Sequence, residues 1–184
     1  MASTLAFAES PAAVGAYPLS ASRRVTLGAA LLATACVLGL VEASLPPLAL
    51  VPWLRVGLAN IAVVVALVTC GPLVAVAVSL GRVFIVGLAT GTLASPVSVM
   101  ALAGAIAALA VMVVLARRVP DLSSVGLSAA GSAAHVAAQF AAAALMLQAS
   151  SILVLAPPSV LVALVLGAAT GALAGLVVSR IVLR

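Results

Sequence analysis

With 184 residues, 66% hydrophobic and only 6% charged, the chain has too few polar side chains to cover a soluble globule, in which about a quarter of residues are charged. The net charge of +5 comes from arginine alone, since lysine is absent, and aromatics make up 3%. The arginines fall between apolar runs, as topology signals do, and not on one polar face as in a nucleic-acid surface, so the composition points to an all-α, polytopic membrane protein and excludes nucleic acid as a partner.

Residues 1–22 are small and polar-leaning. They lack the basic n-region of a cleavable signal peptide and read as a flexible cytoplasmic tail. After Arg23 and Arg24 a first helix is predicted over about 26–45, ending at Pro46-Pro47. A second, over about 57–70, is short for a full span and is bounded by Gly71-Pro72, a turn signal. The third, about 72–90, carries Arg82 and ends in "TGTLASP". The fourth, about 97–116, stops at Arg117-Arg118, and the fifth, about 125–148, contains His135 and Gln139. Pro157-Pro158 opens the sixth, which runs to about 180. The expectation is a six-helix transmembrane domain over 23–184. With both termini inside, Arg23, Arg24, Arg117, Arg118, Arg180 and Arg184 lie on the cytoplasmic side and only Arg55 outside. That satisfies the positive-inside rule and suits a multi-pass protein of the plasma membrane.

Small residues recur along every span. Gly167, Gly171 and Gly175 repeat every four residues and share one face, a spacing that lets helices approach closely. Ala29 and Ala33 repeat the spacing in helix one. Cys36 and Cys70, with no CxxC spacing and no nearby histidine, read as small packing residues.

A charged side chain at the membrane centre costs about 2.5–3.5 kcal/mol on insertion scales, which marks each one as a functional candidate. The candidates are Glu42 near the outer end of helix one, Arg55 and Asn60 at the outer start of helix two, and Arg82 in helix three. His135 and Gln139, one turn apart on helix five, share a face. One polar cavity open to the outside, in which Glu42 and Arg82 neutralise each other, would relieve the desolvation cost of all six. Structural alternatives stand beside this reading. Glu42 and Arg82 could form an ion pair that serves only the fold, and Arg55 could snorkel to the headgroups. Asn60 could cap a helix or link two of them, and His135 could be a satisfied core histidine.

No HExxH, GxSxG or phosphate-binding loop is present, and one histidine cannot build a metal site. Diphosphate chemistry that relies on magnesium needs clustered carboxylates, and the three acids are far apart in sequence. The expectation is a non-catalytic protein without cofactor or metal.

"VEASLPPLALVPWLRVGLANIAVVVAL" resembles the opening block of the Gx transporter family, also known as heptaprenyl diphosphate synthase component I. Glu42, Arg55 and Gly57-Leu58-Ala59-Asn60 match that block. "LGRVFIVGLATGTL" is similar to the family's third helix, matching Arg82, Gly91 and Thr92, and "GLSAAGSAAHVAAQFAAA" resembles its fifth, with His135 and Gln139 in place. The family usually has His-Asn where this chain has His135-Val136, so one hydrogen-bonding group is missing. The resemblance spans about residues 26–180. It implies kinship with the substrate-binding S components of energy-coupling-factor importers, six-helix proteins with an outward-facing pocket for a small molecule. By that kinship Ala29 and Ala33 would dock on a coupling transmembrane subunit, with separate ATPase subunits supplying energy. The family's second name implies instead an accessory role in isoprenoid or menaquinone metabolism.

Overall fold

A computed structural model describes residues 19–44, 57–119 and 121–182. Six α-helices carry almost all of them: α1 (Ala21–Ser44), α2 (Ala59–Cys70), α3 (Pro72–Ala89), α4 (Pro96–Arg118), α5 (Ser124–Leu147) and α6 (Ala156–Val182). A short 3₁₀ turn, Ser150–Leu155, leads into α6 and is not signalled in the sequence. The fold class expected from composition is the one observed, and α1 starts at Ala21, inside the segment expected to be tail.

The boundaries follow local chemistry. α3 and α4 begin with proline in the first turn, where a missing N–H costs nothing. The link between α2 and α3 is the single residue Gly71, at φ 95°, a left-handed conformation that glycine adopts without steric penalty. Gly91, with φ 70°, follows the end of α3. There the Thr92 N–H donates to the Gly87 carbonyl and the Gly91 N–H to the Leu88 carbonyl, closing carbonyls that the helix end leaves open. Ser123 caps α5 by accepting from the Gly126 N–H at 3.2 Å.

Five helices, α1 and α3 to α6, are long and apolar enough to cross a membrane. Large apolar side chains face outward along them, among them Val37, Phe84, Ile106, Leu145 and Val165, the reverse of a soluble protein. This is a multi-pass membrane protein in contact with the bilayer. α2 differs from the other five. Its 12 residues span about 18 Å, short of a hydrocarbon core of about 30 Å. Every residue from Ala62 to Cys70 is buried, as expected of a helix that is apolar all round. The main core forms around α2, from Leu31 and Ala35 of α1, Ala75 and Val78 of α3, Leu109 and Met112 of α4, Leu127 of α5 and Ala174 of α6.

Glycines set the helix pairings. A Cβ on Gly28 would lie 2.8 Å from Val74, one on Gly81 3.1 Å from Leu32, and one on Gly39 3.0 Å from Val86, so α1 and α3 run parallel in close contact. Gly104 against His135 and Gly131 against Met112 pair α4 with α5 in antiparallel fashion. Gly167 meets Ser132 and Ala129, and Gly171 meets Ser124, Val125 and Ser128, so α5 and α6 are also antiparallel. These directions place the start of α1 and the ends of α4 and α6 at one end of the bundle. Arg23, Arg24, Arg117, Arg118 and Arg180 all sit there, exposed.

Candidate functional site

At the end of the bundle away from the arginines, four helices contribute polar groups. Glu42, in the last turn of α1, is buried at 7% exposure. Its Oε1 accepts the Leu58 backbone N–H at 2.6 Å, just before α2 begins. A helix start leaves N–H groups without partners and carries a partial positive charge. Leu58 has no side-chain oxygen to serve them, so a carboxylate from the neighbouring helix does. Glu42 is thus tied to α2, a partner its position in the sequence does not disclose.

Arg82 lies half-buried on the α3 face that meets α1. A Cβ on Gly39 would stand 3.8 Å from its Cγ and Cδ, so the aliphatic stem lies along the glycine one turn below Glu42. Its charge reaches Cys36 on α1 and His135 on α5. The His135 ring packs on Gly104 of α4 closely enough that a Cβ there would be 2.7 Å from Cε1. Gln139 follows one turn along the same face of α5, also half-buried. Arg82 and His135, 53 positions apart in sequence, are therefore drawn into one polar cluster inside an apolar bundle, and Gly39 and Gly104 make room for them. Neither glycine is marked in the sequence, where each is one small residue among many; the signal available was a lone glycine inside an apolar helix.

Asn60 links helices, the structural alternative that the sequence left open. Its Nδ2 donates to Ser128 Oγ at 3.1 Å, and Ser128 Oγ lies 3.1 Å from Thr170 Oγ1. Ser128 precedes His135 by seven residues, about 10 Å along α5. Asn60 therefore sits deeper toward the arginine-rich end than the Arg82–His135 cluster and joins α2 to α5 and α6. Arg55 lies outside the described residues. Gly167, Gly171 and Gly175 are buried, and the first two face α5, so this stripe is used within the molecule. Ala29 and Ala33 are exposed on α1.

Two grooves of about 300 Å³ each are apolar and lie elsewhere, one between α1 and α3 and one between α3 and α4. None of Glu42, Asn60, Arg82, His135 or Gln139 lines either one. Among the described residues no group of three or more His, Cys, Asp or Glu side chains could hold a metal ion.

The family model for heptaprenyl diphosphate synthase component I matches residues 31–177. No curated protein and no solved structure matches the chain. The matched stretch runs from the middle of α1 almost to the end of α6 and contains the whole polar cluster, and on that match the chain belongs to the heptaprenyl diphosphate synthase component I family.

Proposed function

We propose that the protein is the substrate-binding subunit of a small-molecule transporter, with its site at the Arg82–His135 cluster. The observation that carries this reading is an arginine and a histidine held half-buried inside apolar membrane-spanning helices, Arg82 along Gly39 and His135 against Gly104. Ionisable groups at such depth are costly and commonly mark ligand or ion pathways. A permanently charged guanidinium suits an anionic or polar ligand through paired, charge-assisted hydrogen bonds. Glu42, Asn60, Gln139 and Arg55 complete the proposed lining. Glu42 holds the start of α2 in place, and Asn60 fixes its near end to α5 and α6. The protein is non-catalytic, binds no cofactor, and lies in the plasma membrane with the arginine-rich end in the cytoplasm. Ala29 and Ala33 offer a smooth strip to a coupling subunit, and ATPase subunits drive transport.

A second reading rests on the family's name, in which "component I" implies a companion. Here the protein is a non-catalytic membrane accessory of prenyl diphosphate or quinone biosynthesis. Purification of the full chain from its own membrane in mild detergent separates the two. Stoichiometric recovery of ATPase and coupling subunits supports transport; recovery of a soluble prenyl diphosphate synthase subunit overturns it in favour of the accessory role.

A further inference from the structure

The groove between α1 and α3 has a direction. Its walls are Val25, Gly28, Ala29 and Leu32 on α1 and Leu73, Val74, Ala77 and Val78 on α3, and the only charged residue on its lining is Arg24 at one end. Val25, Ala29, Leu73 and Ala77 are exposed, so the groove opens toward the bilayer. Its floor is where the helices touch, at Gly28 against Val74. From Arg24 to Leu32 is eight residues, about 12 Å, close to the roughly 15 Å depth of one leaflet of a 30 Å hydrocarbon core. Its volume of about 300 Å³ holds about ten groups of roughly 30 Å³, the size of a water molecule or a methylene. At the charged end, exposed Arg23 and Arg24 stand in the first turn of α1, where the helix start adds its own partial positive charge. The Ser20 and Ser22 hydroxyls lie beside them, 3.2 Å apart.

We infer that this groove is a binding site for an anionic phospholipid of the arginine-side leaflet. One acyl chain lies between α1 and α3, and the headgroup phosphate rests on Arg24 with Arg23 and the start of α1. A purely apolar trough ending at a cation matches the division of a lipid into tail and head. The site is independent of the Arg82–His135 cluster, which lies toward the other end of the bundle, and most of its α1 wall precedes the residues matched by the family model.

The test is native mass spectrometry of the full chain titrated with phosphatidylglycerol or phosphatidylcholine in detergent. Wild type should retain phosphatidylglycerol in preference. Each arginine near the surface is worth about a fivefold change in affinity, so Arg24→Gln should lose about that much of the preference. Ala77→Leu and Ala77→Phe fill the trough from an exposed position on α3 and should release lipid of either headgroup without changing the melting temperature. Equal retention of the two lipids by wild type, or full retention by both Ala77 variants, overturns the proposal. A photoreactive residue at Leu73, 84% exposed, should label lipid in native membranes; labelling of a protein partner in place of lipid also overturns it.

Discussion

Gly104 shows how a single hydrogen atom in place of a methyl group sets the geometry of a site. Because a Cβ there would stand 2.7 Å from the His135 ring, Gly104→Ala must push the imidazole off the α4 backbone. Overpacking of this kind costs about 1–3 kcal/mol, more than the alanine gains in helix propensity. The melting temperature in detergent should fall, and Gly104→Ala should be much less harmful in a His135→Ala background, the coupling expected of residues in contact. Additive effects would show that the two do not press on each other. Glu42 makes a second test. Glu42→Gln keeps an oxygen for the Leu58 N–H and forfeits only the charge at a helix start, about 0.3–1 kcal/mol and up to about 2 kcal/mol where partly buried. Glu42→Ala also strands a backbone donor, at about 1–3 kcal/mol. Denaturation of the two variants should therefore rank alanine below glutamine, and equal losses would mean that charge alone is at work.

At the scale of helices, the prolines, the Gly71 link and the apolar run lengths are local signals, and all six helices could be read from them. The 3₁₀ turn at Ser150–Leu155 and the partner of each glycine depend on contacts between distant segments, which run lengths do not encode. The same limit applied to the site. His135 and Gln139 could be placed together because one helical turn links them, whereas the Glu42 bond to Leu58 and the Asn60 bond to Ser128 arise only once α2 is packed among its neighbours. The glycine seams differ in what they tolerate. A Cβ on Gly171 would meet backbone atoms, the Ser124 carbonyl oxygen at 2.6 Å and the Val125 Cα at 2.7 Å, so α5 and α6 must part. A Cβ on Gly81 meets only the end of the Leu32 side chain, at 3.1 Å, which can turn aside. Gly171→Ala should cost about 2–3 kcal/mol and Gly81→Ala under about 1 kcal/mol, with helix propensity in its favour. Thermal unfolding in matched detergent measures both, and similar losses would contradict the packing described.

The molecule is a bundle that encloses one short, largely buried helix, and among the described residues its exposed arginines lie at one end. Composition alone dictates the bilayer, because 66% hydrophobic residues leave no other solvent for the outer face. Orientation rests on the arginines: a reporter that fluoresces only in the cytoplasm should be bright when fused after Arg184 and dark when inserted in the turn at 91–95. The opposite pattern would invert the molecule and place the Arg82–His135 cluster toward the cytoplasm.

The central claim, that this cluster binds a ligand, is tested most directly by native mass spectrometry of the gently purified protein beside Arg82→Gln. A small molecule carried by wild type and lost from a variant that still melts cooperatively is the predicted result, and its mass would identify the cargo. Wild type that stays empty when incubated with a metabolite extract of its own cells, beside a variant that only loses stability, would contradict the claim and leave Arg82 as part of the scaffold.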